Sequence, residues 1–168
     1  AGGQGQRLRP LTETTPKPLL MLGDSPVLER TIEHLKGGGF RRFYISVNYL
    51  GSQIEEYFGD GHSYGVDIKY LREPKPLGTA GSLALFPEPA SSPVIVINGD
   101  LLTTVNFDHM LEFHRNGAYH ITMGVKEYSF QIPFGVVTTE NERVTDITEK
   151  PTENRLINTG IYVLEPAV

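Results

Sequence analysis

The sequence predicts an α/β fold: a doubly wound, mostly parallel sheet with helices on both faces, and an antiparallel portion in the second half. Strand-like and helix-like patterns alternate up to about residue 125, as expected when helices connect parallel strands. Residues 94–97 are an unbroken β-branched run, which is typical of a strand covered on both faces. Beyond residue 125 the strand-like segments are short and flank a polar turn, which predicts a hairpin.

Up to about residue 115 the pattern predicts four helices and three strands. Pro26 at a first helical position and the glycines at 37–39 bound the first helix. Asn106 is a candidate N-cap for the helix that starts near residue 107. A further helix is expected over 79–86, where backbone N–H groups could face a ligand. The apolar residues of these elements recur every three to four positions in helices and alternate in strands. They are Leu28, Ile32 and Leu35 (helix), Phe43, Ile45 and Val47 (strand), Ile54, Tyr57 and Phe58 (helix), Val66, Ile68 and Tyr70 (strand), and Phe107, Met110, Leu111 and His114 (helix).

The second half is predicted to consist of strands. Ile121, Met123 and Val125 alternate as a strand. Two short strands at 136–137 and 144–147 surround the polar turn at 140–142, and a last strand covers 157–163. These segments predict the antiparallel portion.

Composition narrows the function classes. With 168 residues the chain is expected to form one domain, 1–168, that buries roughly 70% of its unfolded surface. Hydrophobic residues make up 39%, which excludes disorder, and the net charge of −5 argues against nucleic acid or an anionic membrane as a partner. The chain has no cysteine, so disulfides and thiolate metal sites are excluded. No apolar run approaches about 18 residues, and we expect a cytoplasmic enzyme, with a homo-oligomer among the forms the sequence allows.

The first eighteen residues predict an anion site. Gly2, Gly3 and Gly5 let several backbone N–H groups converge on one point. Arg7 offers a planar fork of donors for phosphate oxygens, and Lys17 adds a compact charge. A polyphosphate suits this combination better than a single carboxylate.

Other glycine motifs fit this run less well. A P-loop needs Gly-x-x-x-x-Gly-Lys-Ser/Thr, which the chain lacks. The dinucleotide fingerprint requires a third glycine where the chain has Leu8, which disfavours a nicotinamide-dependent oxidoreductase. A flexible glycine-rich tail is the alternative to a phosphate loop.

Asp100 is the candidate metal ligand. It follows the apolar strand at 94–97, and ligands of open α/β sheets bind beyond the carboxyl ends of strands. We therefore expect Asp100 in the same crevice as the glycine loop, where it could hold Mg²⁺ together with phosphate oxygens. The alternative is that Asp100 closes a turn after Gly99. The histidines lack mutual ligand spacing and are interpreted as surface or satisfied core residues; they are His34, His62, His109, His114 and His120.

The opening run resembles the Gly-Gly-x-Gly-x-Arg-Leu-x-Pro-Leu-Thr…Pro-Lys-Pro pattern of the sugar-1-phosphate nucleotidyltransferases. The likeness extends through later landmarks, namely Leu77-Gly78-Thr79-Ala80-Gly81, Asn98-Gly99-Asp100, Phe134-Gly135-Val136, Glu149-Lys150-Pro151 and Asn158-Thr159-Gly160. The resemblance implies a Rossmann-like domain trimmed at both ends, without its first strand and without a second metal carboxylate beyond Val168.

The resemblance also implies a role for each matching residue. Arg7, Lys17 and Asp100 would be catalytic, with Asp100 on Mg²⁺. Nucleotide binding would fall to Ala1, Gly2, Gly3, Gly5, Gly78 and Thr79. Sugar-phosphate binding would fall to Gly135, Glu149, Lys150, Asn158 and Gly160.

The implied reaction moves a nucleoside monophosphate from a triphosphate to a sugar 1-phosphate and releases pyrophosphate. The loop at 77–81 is similar to that of guanylyl-transferring members, so GTP is the preferred donor, with mannose 1-phosphate or an amino-sugar 1-phosphate as acceptor. A thymidylyl- or uridylyl-transferring relative stays open, as does a regulatory subunit that binds nucleotide sugar without transferring it.

Overall fold

The computed structural model describes residues 1–3, 5–78, 80–87 and 89–166. In chain order the helices and strands are β1 Met21–Leu22, β2 Ser25–Pro26, α1 Val27–Gly37, β3 Arg42–Val47, α2 Gly51–Phe58, β4 Asp67–Arg72, β5 Val94–Ile97, α3 Phe107–Asn116, β6 Ile121–Gln131, β7 Val136–Glu140, β8 Arg143–Thr148 and β9 Thr152–Leu164. Contacts divide the chain into two compact units: Ala1–Thr122 with the stretch that starts at Tyr162, and Met123–Ile161. Over the described ranges, no helix has the length and apolarity to cross a membrane.

The core of the first unit confirms the predicted α1–β3–α2–β4 order. β3 and β4 pair in parallel, with Ile45 opposite Tyr70, and α2 is the connection between them. α1 begins one residue after Pro26, which is its N-cap. Most of the apolar residues that recur on these elements are buried, as the periodicity predicts: Leu28, Ile32, Ile45, Val47, Ile54, Phe58, Val66 and Ile68. Tyr57, expected on the same helix face as Ile54 and Phe58, is instead 43% exposed.

β5 is a strand, as predicted, but it is less covered than its sequence suggests. All four of its residues are half-buried. Among the described strands, β5 stands at the end of a three-stranded sheet in the order β5–β9–β6. The expectation of a strand covered on both faces is therefore wrong for this structure.

The helix expected over 79–86 is also wrong. The structure has a 3-10 helix at Gly81–Leu85, and Thr79 lies outside the described residues. Phe86 is extended, as the residue before a proline usually is, so the helix cannot continue into Pro87. A helical segment this short also gives no support to the expected ligand site at its N-terminus.

α3 and the hairpin of the second unit confirm the predictions from local signals. The Asn106 side chain caps α3 by accepting the His109 N–H at 3.0 Å. β7 and β8 pair antiparallel around Asn141 and Glu142, whose φ angles of 47° and 67° are left-handed, as in a tight hairpin turn. β6 and β9 are longer than predicted: β6 begins in the first unit and ends in the second, and β9 begins in the second unit and ends in the first.

His114 is a satisfied core residue, as expected. Its ring is fully buried, with Nδ1 at 2.7 Å from the Thr122 hydroxyl and Nε2 at 3.1 Å from the Glu165 carboxylate. Within the part of the chain that the structure describes, no cluster of three or more His, Cys, Asp or Glu residues could hold a metal.

Candidate functional site

The glycine run forms a loop whose geometry depends on Gly5. Gly5 has φ 59°, a left-handed conformation that costs an L side chain about 1–2 kcal/mol. A Cβ built on Gly5 would lie 2.9 Å from Thr12 Cγ2 and 3.3 Å from Lys17 Cβ. The Gly5 carbonyl accepts the Leu8 N–H and the Thr12 hydroxyl, both at 2.9 Å. Gly5 therefore brings the start of the chain against Thr12 and Lys17.

Gly2 and Gly3 have opposite surroundings. A Cβ on Gly2 would lie 3.0 Å from Asn48 Cβ, and the Tyr49 N–H reaches the Gly2 carbonyl at 3.5 Å. A Cβ on Gly3 would meet nothing within 4 Å. Gly2 thus packs on the residue that follows β3, whereas Gly3 borders open space where a ligand can approach the backbone.

The next part of the loop is tied to the segment between β3 and α2. The Tyr49 hydroxyl donates to the Glu13 carbonyl at 3.1 Å, and Gln53 Nε2 donates to the Thr14 carbonyl at 2.9 Å. Thr12 is only 1% exposed. The sequence analysis assigned no role to Thr12 or Asn48. Their positions could have indicated one, because Thr12 lies inside the opening motif and Asn48 directly follows a strand.

Lys17 and Asp100 form an ion pair between Lys17 Nζ and Asp100 Oδ2. A Cβ on the preceding Gly99 would lie 3.3 Å from Ala1 Cβ, so this carboxylate adjoins the glycine loop. Both side chains keep about a third of their surface exposed, at 38% and 33%, and a pair of this kind contributes only about 0–1 kcal/mol. The two charges can therefore exchange partners at small cost when a ligand arrives.

Arg7 is not part of this pair. It lies on a 3-10 helix, Gln6–Leu8, directly after Gly5, and its side chain is exposed. The structure brings together Ala1, Gly2, Gly5, Lys17 and Asp100, and it leaves Arg7 at the solvent side of the loop.

Gly78, expected beside the nucleotide, has φ 76° and is exposed. Its neighbour Leu77 donates its N–H to Glu73 Oε2 at 3.0 Å. A cavity of about 290 Å³ opens at the carboxyl ends of β3 and β4, lined in part by Asn48 and Glu73. Its volume is at the lower end of the range for small-molecule pockets.

A metal could use Asp100 as one oxygen ligand. Mg²⁺ in phosphate sites takes one or two carboxylates and completes its shell with phosphate oxygens and water. Since the described residues hold no larger acidic cluster, Asp100 fits Mg²⁺ only as part of a complex in which phosphates supply further ligands.

In the second unit, Gly135, Glu149 and Lys150 lie together. A Cβ on Gly135 would be 3.1 Å from Glu149 Oε2, so glycine leaves room for that carboxylate. Glu149 Oε1 and Lys150 Nζ are 3.7 Å apart, and both side chains are more than half exposed. Asn158 organises a turn on β9 by accepting the Gly160 N–H at 2.8 Å, where Gly160 has φ 77°.

Three comparisons with known proteins agree with this arrangement. The whole chain, residues 1–168, matches the family model described as nucleotidyl transferase. The mannose-1-phosphate guanylyltransferase catalytic subunit beta of Drosophila melanogaster is 37% identical over 174 residues, covering 99% of this chain and 47% of that protein. The mannose-1-phosphate guanylyltransferase of Mycobacterium tuberculosis is 35% identical over 170 residues, covering 98% and 47%.

Similarity extends to solved structures. HddC from Yersinia pseudotuberculosis, complexed with GMP-PN, superposes with a TM-score of 0.74 at 25% identity, covering 99% of this chain and 75% of that one. The chain spans about half the length of the curated relatives it matches.

The glycine loop and the adjoining Lys17–Asp100 pair lie in an α/β architecture, next to the residues that follow β3 and β5. With the match over residues 1–168, the chain belongs to the nucleotidyl transferase family.

Proposed function

We propose that this chain carries the substrate-binding part of a sugar-1-phosphate nucleotidyltransferase. The enzyme would transfer a nucleoside monophosphate from GTP to a sugar 1-phosphate, with mannose 1-phosphate as the first acceptor to test and glucosamine 1-phosphate as the second. The observation that carries the proposal is the Lys17–Asp100 ion pair beside the glycine loop. The guanylyltransferase names of the relatives at 35–37% identity support GTP and mannose 1-phosphate.

The transfer requires positioning and charge neutralisation rather than a protein nucleophile. A phosphate oxygen of the sugar 1-phosphate attacks the α-phosphorus, the bond to the β-phosphate oxygen breaks, and pyrophosphate leaves. Backbone N–H groups at Gly3 and Gly5 would hold the triphosphate, while Lys17 and Arg7 would offset its charge. The open space at Gly3 supports a close approach of phosphate to the backbone.

Asp100 would hold Mg²⁺, which when bound neutralises charge on the phosphate oxygens. In the protein alone, the Lys17 ammonium balances the Asp100 carboxylate. A magnesium–triphosphate complex presents each partner with a new counterion, the metal for Asp100 and a phosphate for Lys17. Because a partly exposed pair contributes little energy, its loss in this exchange would cost little.

The second substrate would be held by residues of the second unit. The exposed Glu149 carboxylate can accept hydrogen bonds from sugar hydroxyls, and the exposed Lys150 can bind the phosphate. Gly135 would keep the space that Glu149 occupies. Asn158 and Gly160 would contribute the backbone turn on β9.

We further propose that β3, β4 and β5 belong to a doubly wound, mostly parallel sheet of a single Rossmann-like nucleotidyltransferase domain over residues 1–168, whose second half supplies the antiparallel β7–β8 hairpin. The parallel β3–α2–β4 unit and the similarity to HddC support this architecture.

The test is pyrophosphate release by the full-length protein with Mg²⁺, using GTP, ATP, UTP, CTP and dTTP, each with mannose, glucosamine or glucose 1-phosphate. We expect release with GTP that depends on the sugar phosphate. Release with dTTP or UTP alone would assign a thymidylyl- or uridylyl-transferring enzyme. No release with any pair, together with thermal stabilisation by GDP-mannose, would overturn transfer in favour of a regulatory binding subunit.

A further inference from the structure

Glu73 links three segments around the candidate nucleotide site, although it belongs to none of the motifs discussed above. It directly follows β4, and its Oε1 accepts the hydroxyl of Ser46 on β3. Its Oε2 accepts the Leu77 N–H at 3.0 Å. The side chain is half-buried, so these charge-assisted bonds are partly shielded from water and stronger than neutral ones.

The Glu73 backbone adds two further bonds. Its N–H donates to the Val47 carbonyl at 2.9 Å, and its carbonyl accepts from Asn48 Nδ2 at 2.8 Å. Asn48 is the residue against which Gly2 packs. Glu73 therefore connects the end of β3, through Asn48, to the glycine loop on one side and to the turn at 77–78 on the other.

The segment between Glu73 and Gly78 is short and stiff. Pro74 and Pro76 restrict its backbone, and the Leu77 N–H bond closes it onto the Glu73 carboxylate. Gly78 then turns the chain with φ 76°. This closure sets the direction of the Gly78 backbone, because a glycine by itself can adopt many conformations.

We propose that Glu73 is the positioning residue of the nucleotide site: its carboxylate holds the Leu77–Gly78 turn in the conformation that receives the nucleoside end of the donor. This inference rests on the proposed function. A turn ordered before binding lowers the entropic cost of binding, so loss of the carboxylate weakens donor binding more than it slows the chemical step.

A different role for the same carboxylate is direct contact with the base, since Glu73 also lines the cavity at the ends of β3 and β4. Glutamine separates the two roles. A glutamine at 73 can accept the Leu77 N–H through its carbonyl and donate to Ser46 Oγ through its amide, which preserves the turn. If residue 73 contacts the base, the glutamine amide would present a hydrogen-bond donor where the glutamate carboxylate presents an acceptor. The preference among the nucleoside triphosphates would then change.

The experiment compares Glu73→Ala, Glu73→Gln and Ser46→Ala in the full-length protein, with Ser63→Ala as the control that makes the same change at an exposed serine outside the cavity lining. We measure kcat and KM for each nucleoside triphosphate with the acceptor at saturation, and unfolding in urea. For Glu73→Ala we expect the donor KM to rise about tenfold while kcat changes less than about threefold. Glu73→Gln should keep the parent KM, Ser46→Ala should raise it about threefold, and Ser63→Ala should leave it unchanged.

Several results would overturn the inference. The inference fails if the donor KM is unchanged in both Glu73→Ala and Ser46→Ala. It also fails if Glu73→Gln keeps a raised donor KM and changes its preference between GTP and ATP. If Glu73→Ala does not fold, Ser46→Ala and Glu73→Gln decide the matter by the same criteria. If the parent protein shows no activity on any substrate pair, the proposed function itself is contradicted. In that case calorimetry with GTP and Mg²⁺ measures the donor affinity of the same variants, and these affinities decide the role of Glu73.

Discussion

Lys17 and Asp100 stand 83 positions apart in the sequence and form an ion pair beside the glycine loop. The pair joins a cation that suits phosphate to a carboxylate that suits magnesium. Because both side chains are partly exposed, the pair adds little stability. Changes at either residue are therefore expected to appear in activity far more than in folding.

For Lys17→Ala we expect kcat to fall on the order of a hundredfold, since loss of one group that stabilises transition-state charge costs about 3 kcal/mol. Pyrophosphate release measures it. Lys36→Ala is the control, because Lys36 pairs with Glu33 on α1. Parent-like turnover in Lys17→Ala would remove Lys17 from the proposed mechanism.

Asp100→Asn should shift the magnesium dependence. A neutral amide binds the cation more weakly than a carboxylate, so half-maximal activity should need about tenfold more Mg²⁺, and EDTA should abolish activity of the parent. Asp108→Asn, on the exposed first turn of α3, is the matched control. An identical Mg²⁺ titration for Asp100→Asn and the parent would contradict the assignment of Asp100 as a metal ligand.

Gly5→Ala should lower stability, whereas Gly3→Ala should raise the KM for GTP without lowering stability. Alanine at 5 combines a left-handed backbone with a 2.9 Å approach to Thr12 Cγ2, so the free energy of unfolding should fall by about 1–2 kcal/mol or more. Alanine at 3 meets open space, so stability should stay within about 0.5 kcal/mol of the parent, while the KM for GTP rises. Urea unfolding and steady-state kinetics test both. A Gly3→Ala variant with the parent KM would argue against phosphate contact at Gly3.

Glu149→Ala should raise the KM for the sugar 1-phosphate by about tenfold or more through loss of hydroxyl hydrogen bonds, and it should leave the KM for GTP unchanged. Glu140→Ala, at the exposed end of β7, provides the control. A change in the GTP KM without a change in the sugar-phosphate KM would place Glu149 with the donor instead.

Thr122→Val should destabilise the first unit. It removes the hydroxyl at 2.7 Å from the buried His114 Nδ1 and leaves that nitrogen without this partner, which costs about 1–3 kcal/mol. Urea unfolding measures the change, and Thr152→Val at the exposed start of β9 makes the same substitution as a control. Equal stability of the two variants would mean that the His114 contact contributes nothing.

Local patterns predicted most helices and strands because the signals for them are local. The spacing of Leu28, Ile32 and Leu35 predicted α1, and Asn106 predicted the start of α3. The segment at 79–86 failed because the Ala-Gly-Ser-Leu-Ala-Leu run favours a helix, while Pro87 forces Phe86 into an extended conformation. β5 was correct as a strand and wrong in burial, because the burial of a strand depends on the elements that pack on the two faces of its sheet.

The amino-acid sequence by itself determined which residue types are available to the candidate donor site: glycines that admit a tight loop, a lysine and an arginine suited to phosphate, and an aspartate at a strand end. Only the tertiary structure decided that Lys17 meets Asp100, that Thr12 and Asn48 hold the loop, and that Glu73 ties the Leu77–Gly78 turn to β3. The reason is physical. Spacing along the chain encodes local conformation, whereas contacts between residues tens of positions apart depend on how the strands pair and pack.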